Sequence, residues 1–289
     1  MAAIRTSFVI ASRNRRHELV STVERLLETT ECPVIVVDNA SSDGSPAAVR
    51  KLSRSHRLSV IEARRNLGAV GRNIGVAACT TPFVAFCDDD SWWQPDAPGI
   101  AEDLFARHPS VGLLAATTKV WPDATDDPMV RLLADSPLGT RPDLPGPSVL
   151  GFLACSSIVR AEPFSTAGGF SPILHFRGEE QLLALDLSSL GWDLCFCPQL
   201  VAVHAPSERR PVSAAQDARS LRNAVLTTWL RRPPARCVRA TADLLRSAAR
   251  DRHHARAALE ALTRLPAVAA SRRRLPDHVE SAVRALESR

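Results

Sequence analysis

Phe83-Val84-Ala85-Phe86-Cys87-Asp88-Asp89-Asp90 passes from apolar to acidic without a turn residue between. An apolar run of strand length that enters three carboxylates directly reads as a buried strand delivering acids to the end of a sheet. Adjacent carboxylates repel one another unless a cation or protons intervene. A hard divalent ion resolves the repulsion, and Mg²⁺ commonly keeps only one or two carboxylates beside phosphate oxygens. The plainer alternative is an acidic loop that caps the next helix. The direct strand entry, and the lack of any Lys or Arg beside the triplet in sequence, favour a metal.

Working outward, the preceding eighty residues repeat this pattern. Phe8-Val9-Ile10 ends at Ser12-Arg13-Asn14, and Leu19, Val20, Val23, Leu26 and Leu27 follow at helical spacing. Pro33 opens Val34-Ile35-Val36-Val37, which stops at Asp38-Asn39. Ser45-Pro46 reads as an N-cap and first helical residue. Leu58-Ser59-Val60-Ile61 is a further strand, and Asn66-Leu67-Gly68 leads into a helix whose Gly71 and Gly75 permit close backbone packing. Buried strands separated by helices imply an α/β, doubly wound, mostly parallel sheet with a crevice at its carboxyl ends. Each polar cluster sits at such an end.

Beyond the triplet the pattern loosens. Residues 121–148 carry six prolines and read as a long lid-like excursion. Leu150 to Val159 reads as a strand, Gly178 to Leu190 as a helix closed by Gly191, and 194–196 and 201–203 as two strands, the second ending at His204. After Pro206 come Ala/Arg/Leu-rich helices broken at Pro233-Pro234, Pro266 and Pro276. The reading is therefore an α/β domain over 1–206, in halves 1–90 and 91–206, followed by a basic α-helical region over 207–289.

Composition removes several alternatives. Among 289 residues, 45% are hydrophobic and 23% charged, ordinary values for a globular chain. No apolar run reaches the ~18 residues that span a bilayer and no secretory h-region follows Met1, so the chain reads as soluble and cytoplasmic. The seven cysteines lack the paired spacing of a zinc site and read as buried free thiols. From Ser207 onward 18 Arg face 8 acids, a net of +10, which leaves −5 for residues 1–206. An acidic front suits a cation, and the basic tail suits something anionic: nucleic acid, a membrane surface or a phosphorylated substrate.

Other polar residues are weaker signals alone. His204 at a strand end is a candidate ligand or an ordinary surface histidine. Glu179 and Glu180 open a helix, where acids commonly serve the dipole. Neighbouring helical residues diverge by about 100°, so at most one of the two points into a crevice. Trp92 and Trp93 read, taken alone, as core packing at a helix start.

Taken in order, Ser12-Arg13-Asn14, Val37-Asp38-Asn39 with Ser41-Ser42-Asp43-Gly44-Ser45, Arg65-Asn66-Leu67-Gly68 with Gly71-Arg72-Asn73, and Phe86-Cys87-Asp88-Asp89-Asp90 resemble the N-terminal half of family 2 glycosyltransferases of the GT-A fold. Gly168-Gly169-Phe170, Gly178-Glu179-Glu180 and His204 resemble that family's acceptor-side elements. The 24-residue step from Glu180 to His204 suits its galactofuranosyl- and rhamnosyltransferase-like branch. The resemblance covers residues 5–206, about 70% of the chain.

It implies an inverting transfer of a sugar from a UDP-, dTDP- or GDP-linked donor to a glycan, lipid-linked or small-molecule acceptor, with Mn²⁺ or Mg²⁺. By residue, it implies Ser12, Arg13, Asp38, Asn66, Arg72, Asp88 and Asp89 at the nucleotide sugar, and Asp88, Asp90 and His204 at the metal. It implies Glu180 as the catalytic base, with Trp92, Trp93 and Glu179 toward the acceptor. The family usually has an aromatic residue at the position of Ser12, and often Asp beside its base where this chain has Glu-Glu.

Three other readings compete. A sugar nucleotidyltransferase would want a Gly-rich loop near the N-terminus, and Ser12-Arg13-Asn14-Arg15-Arg16 has the charge without the glycines. A nucleic-acid-binding protein would want aromatics among the tail's arginines, where Trp229 stands alone, so no nucleic acid is expected. A non-catalytic sugar-nucleotide sensor would not need every polar position retained. The basic tail is expected to pack on the α/β domain and to face anionic lipid peripherally or a phosphorylated acceptor.

Overall fold

The structure, a computed structural model, describes residues 4–52, 56–206 and 213–288. Strands β1 (Thr6–Ser12), β2 (Val34–Asp38), β3 (Leu58–Glu62) and β4 (Phe83–Cys87) alternate with helices α1 (Arg16–Thr29), α2 (Ser45–Arg50) and α3 (Val70–Ala78). All pairings among these four strands are parallel. Successive residues point to opposite faces, so Phe8, Ile10, Val34, Val36, Phe83 and Ala85 join one core with α1. Val9, Ile35, Val37, Val84 and Phe86 join the other with α3. Continuous apolar strands covered on both sides are what the sequence pattern predicts. At Gly75 an added Cβ would collide with Val9, so α3 lies against the sheet at a distance only glycine allows.

The second half departs from the parallel expectation. Next come β5 (Ser91–Trp93), α4 (Ala97–Arg107), β6 (Val111–Val120), β7 (Thr125–Asp126), α5 (Pro128–Ala134), β8 (Ser157–Arg160), α6 (Ala161–Thr166), α7 (Glu179–Ser189) and β9 (Asp193–His204). The sheet order is β3-β2-β1-β4-β8-β6-β9-β5, with β7 beside β6. Strand β8 is antiparallel to both β4 and β6, and β5 is antiparallel to β9, while β6 and β9 are parallel.

Local expectations are corrected accordingly. The strand expected over 150–159 is confined to β8, preceded by a 3-10 turn at Ala154–Ser156. The excursion at 121–148 contains β7 and α5. The two strands expected before His204 are one strand with a register shift opposite Ala116 and Thr117. Helix α2 is capped from outside, because the amide of Ser45 donates to Asp43 at 3.0 Å and Gly44 takes a left-handed φ of 81°.

The helices α8 (Ala214–Arg231), α9 (Pro234–Ala248), α10 (Arg252–Thr263), α11 (Leu265–Ser271) and α12 (Asp277–Glu287) complete the chain. The boundary expected at 206/207 adjoins residues 207–212, which lie outside the described residues. These helices share cores with the front of the molecule. Ile173, Leu174 and Leu182 pack with Val225, Leu226, Trp229 and Leu230, while Leu150 and Leu185 pack with Leu275, Val279 and Val283. Several tail arginines are inside this interface. Arg231 is buried and pairs through two nitrogens with Asp186 at 2.5 and 2.9 Å, and Arg232 pairs with Glu280 and Glu287. Glu280 and Glu287 are already counted in the net +10, so of these pairs only Arg231–Asp186 draws on it. Among the described residues, no helix is long and apolar enough to cross a membrane. All seven cysteines are free, five of them buried.

Candidate active site

In this sheet the chain leaves β1 for β2 on one side and reaches β4 on the other. That reversal of strand order opens a crevice outside the carboxyl ends of β1 and β4. A cavity of about 390 Å³ occupies it. Its walls come from the end of β1 (Ala11, Ser12, Arg13, Arg15), the loops after β2 and β3 (Asn39, Asn66, Gly68) and Arg72 of α3. Asp88, Asp89 and Asp90 after β4, His175 and Phe176 before α7, His204 at the end of β9, and Arg219 of α8 close it.

The acids are not left to repel one another. Ser12 Oγ donates to Asp89 Oδ2 at 2.7 Å, and Arg15 reaches Asp89 Oδ1 at 3.1 Å and Asp90 Oδ2 at 2.6 Å. Arg72, buried on α3, pairs with Asp88. The expectation that no arginine accompanies the triplet is therefore corrected: α1 and α3 bring two cations that are remote in sequence. Burial still dominates at Asp89, whose carboxyl is pushed up to about 6 despite Ser12 and Arg15.

Asp90 and His204 meet because the strands carrying them pair. Ser91 lies opposite His204 in the β5–β9 register, and the amide of Ala205 donates to the Asp90 carbonyl at 2.8 Å. His204 Nε2 lies 3.3 Å from Asp90 Oδ1. Burial alone would lower the histidine's pKa, but the Asp90 contact outweighs it and the net direction is upward. Arg15 occupies Oδ2 of Asp90 and leaves Oδ1 facing the imidazole. One carboxylate oxygen and one imidazole nitrogen on an open cleft fit a Mn²⁺- or Mg²⁺-type ion whose other ligands are phosphate oxygens and water. Among the described residues, no group of three acid, histidine or cysteine side chains forms a closed metal cage.

Among the described residues, three buried side-chain polar atoms lack a hydrogen-bond partner: Asp38 Oδ1, Arg72 Nε and Glu179 Oε2. All three belong to residues that the sequence assigns to the site. Orphaned buried polar atoms are rare, and of these three residues Arg72 lines the cavity whereas Asp38 and Glu179 do not. Asp38 spends its other oxygen on the amide of Ser41 at 2.9 Å.

The remaining expectations divide. Arg13 and Asn66 line the cavity, and Asn66 Oδ1 accepts from the amide of Gly68 at 2.9 Å. Glu179 and Glu180 open α7 but do not line the cavity around the triplet. Glu179 is buried and Glu180 only partly so. Burial and then the Glu180 charge push Glu179 up to about 7, and burial with the Asp88 charge raises Glu180. Arg72 and Asp88 act electrostatically on both.

The tryptophans are corrected. They lie in β5, not at a helix start. Trp93 is fully buried with Nε1 donating to the Phe86 carbonyl at 3.0 Å, so it offers no face to an acceptor. Trp92 is covered by Arg25, whose guanidinium carbon sits 3.9 Å from the ring centre.

Sequence reasoning missed Arg15, Asn39, His175, Phe176 and Arg219. Arg15 stood in view beside Ser12-Arg13-Asn14. Asn39 stood in view beside Asp38; His175, Phe176 and Arg219 gave no local signal, because the 171–178 segment is shaped by α8. Asn223 Nδ2 donates to the carbonyls of Leu174, Phe176 and Arg177 at 3.1, 2.9 and 2.6 Å, and Arg264 donates to that of Ile173 at 2.7 Å. His175 and Arg177 take left-handed φ values of 67° and 78°, so this backbone needs outside support. Burial together with Arg264, Arg219 and Arg222 holds the His175 pKa below its usual value.

Similarity to known proteins agrees with this geometry. The succinoglycan biosynthesis protein ExoO of Rhizobium meliloti is 28% identical over 184 residues, 62% of this chain and 50% of that protein. The pre-mycofactocin glycosyltransferase of Mycobacterium tuberculosis is 31% identical over 180 residues, 59% of this chain and 37% of that protein. The chain thus spans half or less of the length of these relatives.

Among solved structures, the mannosyltransferase PcManGT of Pyrobaculum calidifontis, in complex with GDP-Man and Mn²⁺, superposes with a TM-score of 0.61. It is 20% identical and covers 98% of this chain and 86% of its own. Residues 1–349 of S. aureus TarS in complex with UDP-GlcNAc give a TM-score of 0.58 at 17% identity, over 77% of this chain and 66% of that one. These likenesses establish the fold as GT-A-like. Residues 7–166, just over half of the chain, match the family described as Glycosyl transferase family 2, and the chain belongs to that family.

Proposed function

We propose that this protein is an inverting glycosyltransferase that moves a sugar from a nucleoside-diphosphate donor to an acceptor hydroxyl with the help of a divalent metal. The observation that carries the reading is the β1–β4 crevice, where strand pairing holds Asp90 Oδ1 3.3 Å from His204 Nε2 beside the arginine-compensated acids. Asp38, with its unpartnered Oδ1, would accept from the base, and Ser12, Arg13 and Asn66 would line the nucleoside's path. Asp90 and His204, with the free oxygen of Asp88, would hold the metal, which when bound supplies a Lewis acid for the charge of the departing diphosphate.

The protein's own part is to position and to move a proton. Arg72 would orient Asp88 toward the ribose or donor sugar. As the acceptor oxygen attacks the anomeric carbon from the face opposite the leaving diphosphate, its proton passes to the Glu180 carboxylate. Attack from that face inverts the anomeric centre. A UDP-, dTDP- or GDP-linked sugar is the expected donor, and a glycan, lipid-linked or small molecule the expected acceptor. The free thiols suit a reducing compartment, so the cytoplasmic placement is kept within this proposal.

The test is a thermal-shift screen of UDP-, dTDP- and GDP-sugars with Mn²⁺, followed by transfer assays with and without EDTA. A donor should raise Tm only when metal is present, and EDTA should abolish transfer. Full transfer in EDTA would overturn the metal, and no stabilisation by any donor would overturn the nucleotide-sugar reading.

A further inference from the structure

Ten large hydrophobic side chains stand exposed among the described residues, and five of them fall between residues 238 and 265. Val238 and Leu245 on α9 are 71% and 56% exposed, and Leu259 and Leu262 on α10 are 65% and 49% exposed. Their spacing is regular. On α9, Val238, Ala242 and Leu245, continued by Ala249 at its C-cap, form an exposed stripe at helical intervals, and on α10 Ala255, Leu259 and Leu262 form a second. Helices α9 and α10 pack against each other and against α8. Leu244 on α9 and Ala258 and Ala261 on α10 are buried in that core, with Cys237, Ala240 and Ala248 packed against it, and the outward leucines belong to none of it. Scattered exposed leucines need no explanation, whereas two stripes on one hairpin do.

Arginines border the stripes. Six Arg against three acids in residues 234–263 give the hairpin a charge of +3. Arg239, Arg250 and Arg252 are exposed and form no salt bridge among the described residues. A second copy of this chain docked face to face would bring these like charges together. An anionic lipid surface instead takes the leucines into the acyl boundary and the guanidinium groups at the phosphates, the arrangement of amphipathic helices that lie in a membrane interface. We infer that the outward face of the α9–α10 hairpin is a peripheral docking surface for anionic membrane.

The test is co-sedimentation of the full chain with phosphatidylcholine vesicles and with vesicles doped with phosphatidylglycerol. Binding is expected to the doped vesicles only, weakening as salt rises. The variant Leu245→Glu/Leu259→Glu changes only exposed positions, so its Tm should hold while partitioning falls at least ~10-fold. Arg239→Glu/Arg250→Glu should fall by a similar factor, at ~5-fold or more for each charge lost. Absence of binding, equal binding to neutral vesicles, or undiminished binding by the leucine variant at unchanged Tm would overturn the inference. A concentration-dependent dimer that the leucine variant abolishes would assign the face to a second copy and overturn it equally.

Discussion

At the residue scale, the two carboxylates that open α7 differ in burial, and their substitutions separate their roles. Glu180→Gln keeps size and hydrogen bonding but removes the proton acceptor, so transfer should fall by ~10²–10⁴ while donor affinity is unchanged. Isothermal titration and initial rates check both halves, and a dead Glu179→Gln beside an active Glu180→Gln would reassign the base. The pH dependence follows from the upward shift of the pair. A base must be ionised to act, and burial holds the Glu180 carboxyl above the ordinary glutamate range, so transfer should decline at a higher pH than an ordinary glutamate would give. Stability runs the other way. Folded Glu179 holds its proton to a higher pH than unfolded Glu179, so the folded state loses stability as pH rises from the ordinary range to about 7. Glu179→Gln removes that loss and the unpartnered charge, and should gain on the order of 1–3 kcal/mol at pH 8 and nothing at pH 4. Urea unfolding at both pH values measures it.

At the scale of elements, strand pairing and one helix decide where the chemistry sits. The β5–β9 register puts Asp90 beside His204, so Asp90→Ala and His204→Ala should each weaken donor binding in Mn²⁺ and leave metal-free binding nearly as before. Fluorescence titration of a donor with and without Mn²⁺ distinguishes this from general damage. Asn223 on α8 donates to three carbonyls of the segment bearing His175 and Phe176. Asn223→Ala removes the side-chain donor from the Phe176 and Arg177 carbonyls, while that of Leu174 keeps the Phe176 amide, at a cost of about 1–3 kcal/mol. Thermal melts should show the destabilisation, and transfer assays a raised KM for donor or acceptor; an unchanged KM would make Asn223 purely structural.

For the molecule as a whole, the C-terminal helices are part of the catalytic unit's architecture. Removing residues 207–289 would expose Ile173, Leu174, Leu182 and Leu185 and release Asp186 from Arg231. A chain ending at 206 should therefore aggregate or melt far below the full protein, as size-exclusion chromatography and melting would report. Arg231→Met strands Asp186 as a buried charge and should cost about 3–5 kcal/mol, whereas Arg231→Met with Asp186→Leu should recover most of it. Urea denaturation of the two variants checks the difference.

The sequence by itself determined the parallel half of the sheet, because strands buried on both faces must be apolar throughout and their polar ends must fall on one rim. It also marked the acids at that rim, and His204 and Glu180 as members of an ordered set of motifs. Tertiary structure alone decided what neutralises the acids, since Arg15 and Arg72 arrive from helices packed on opposite faces of the sheet. It alone buried Trp93, ran β8 and β5 antiparallel to their neighbours in the second half of the sheet, and drew His175, Phe176 and Arg219 into the cleft through α8. Those outcomes rest on contacts between residues distant along the chain, and composition, spacing and periodicity report only on neighbours within a few turns or one strand.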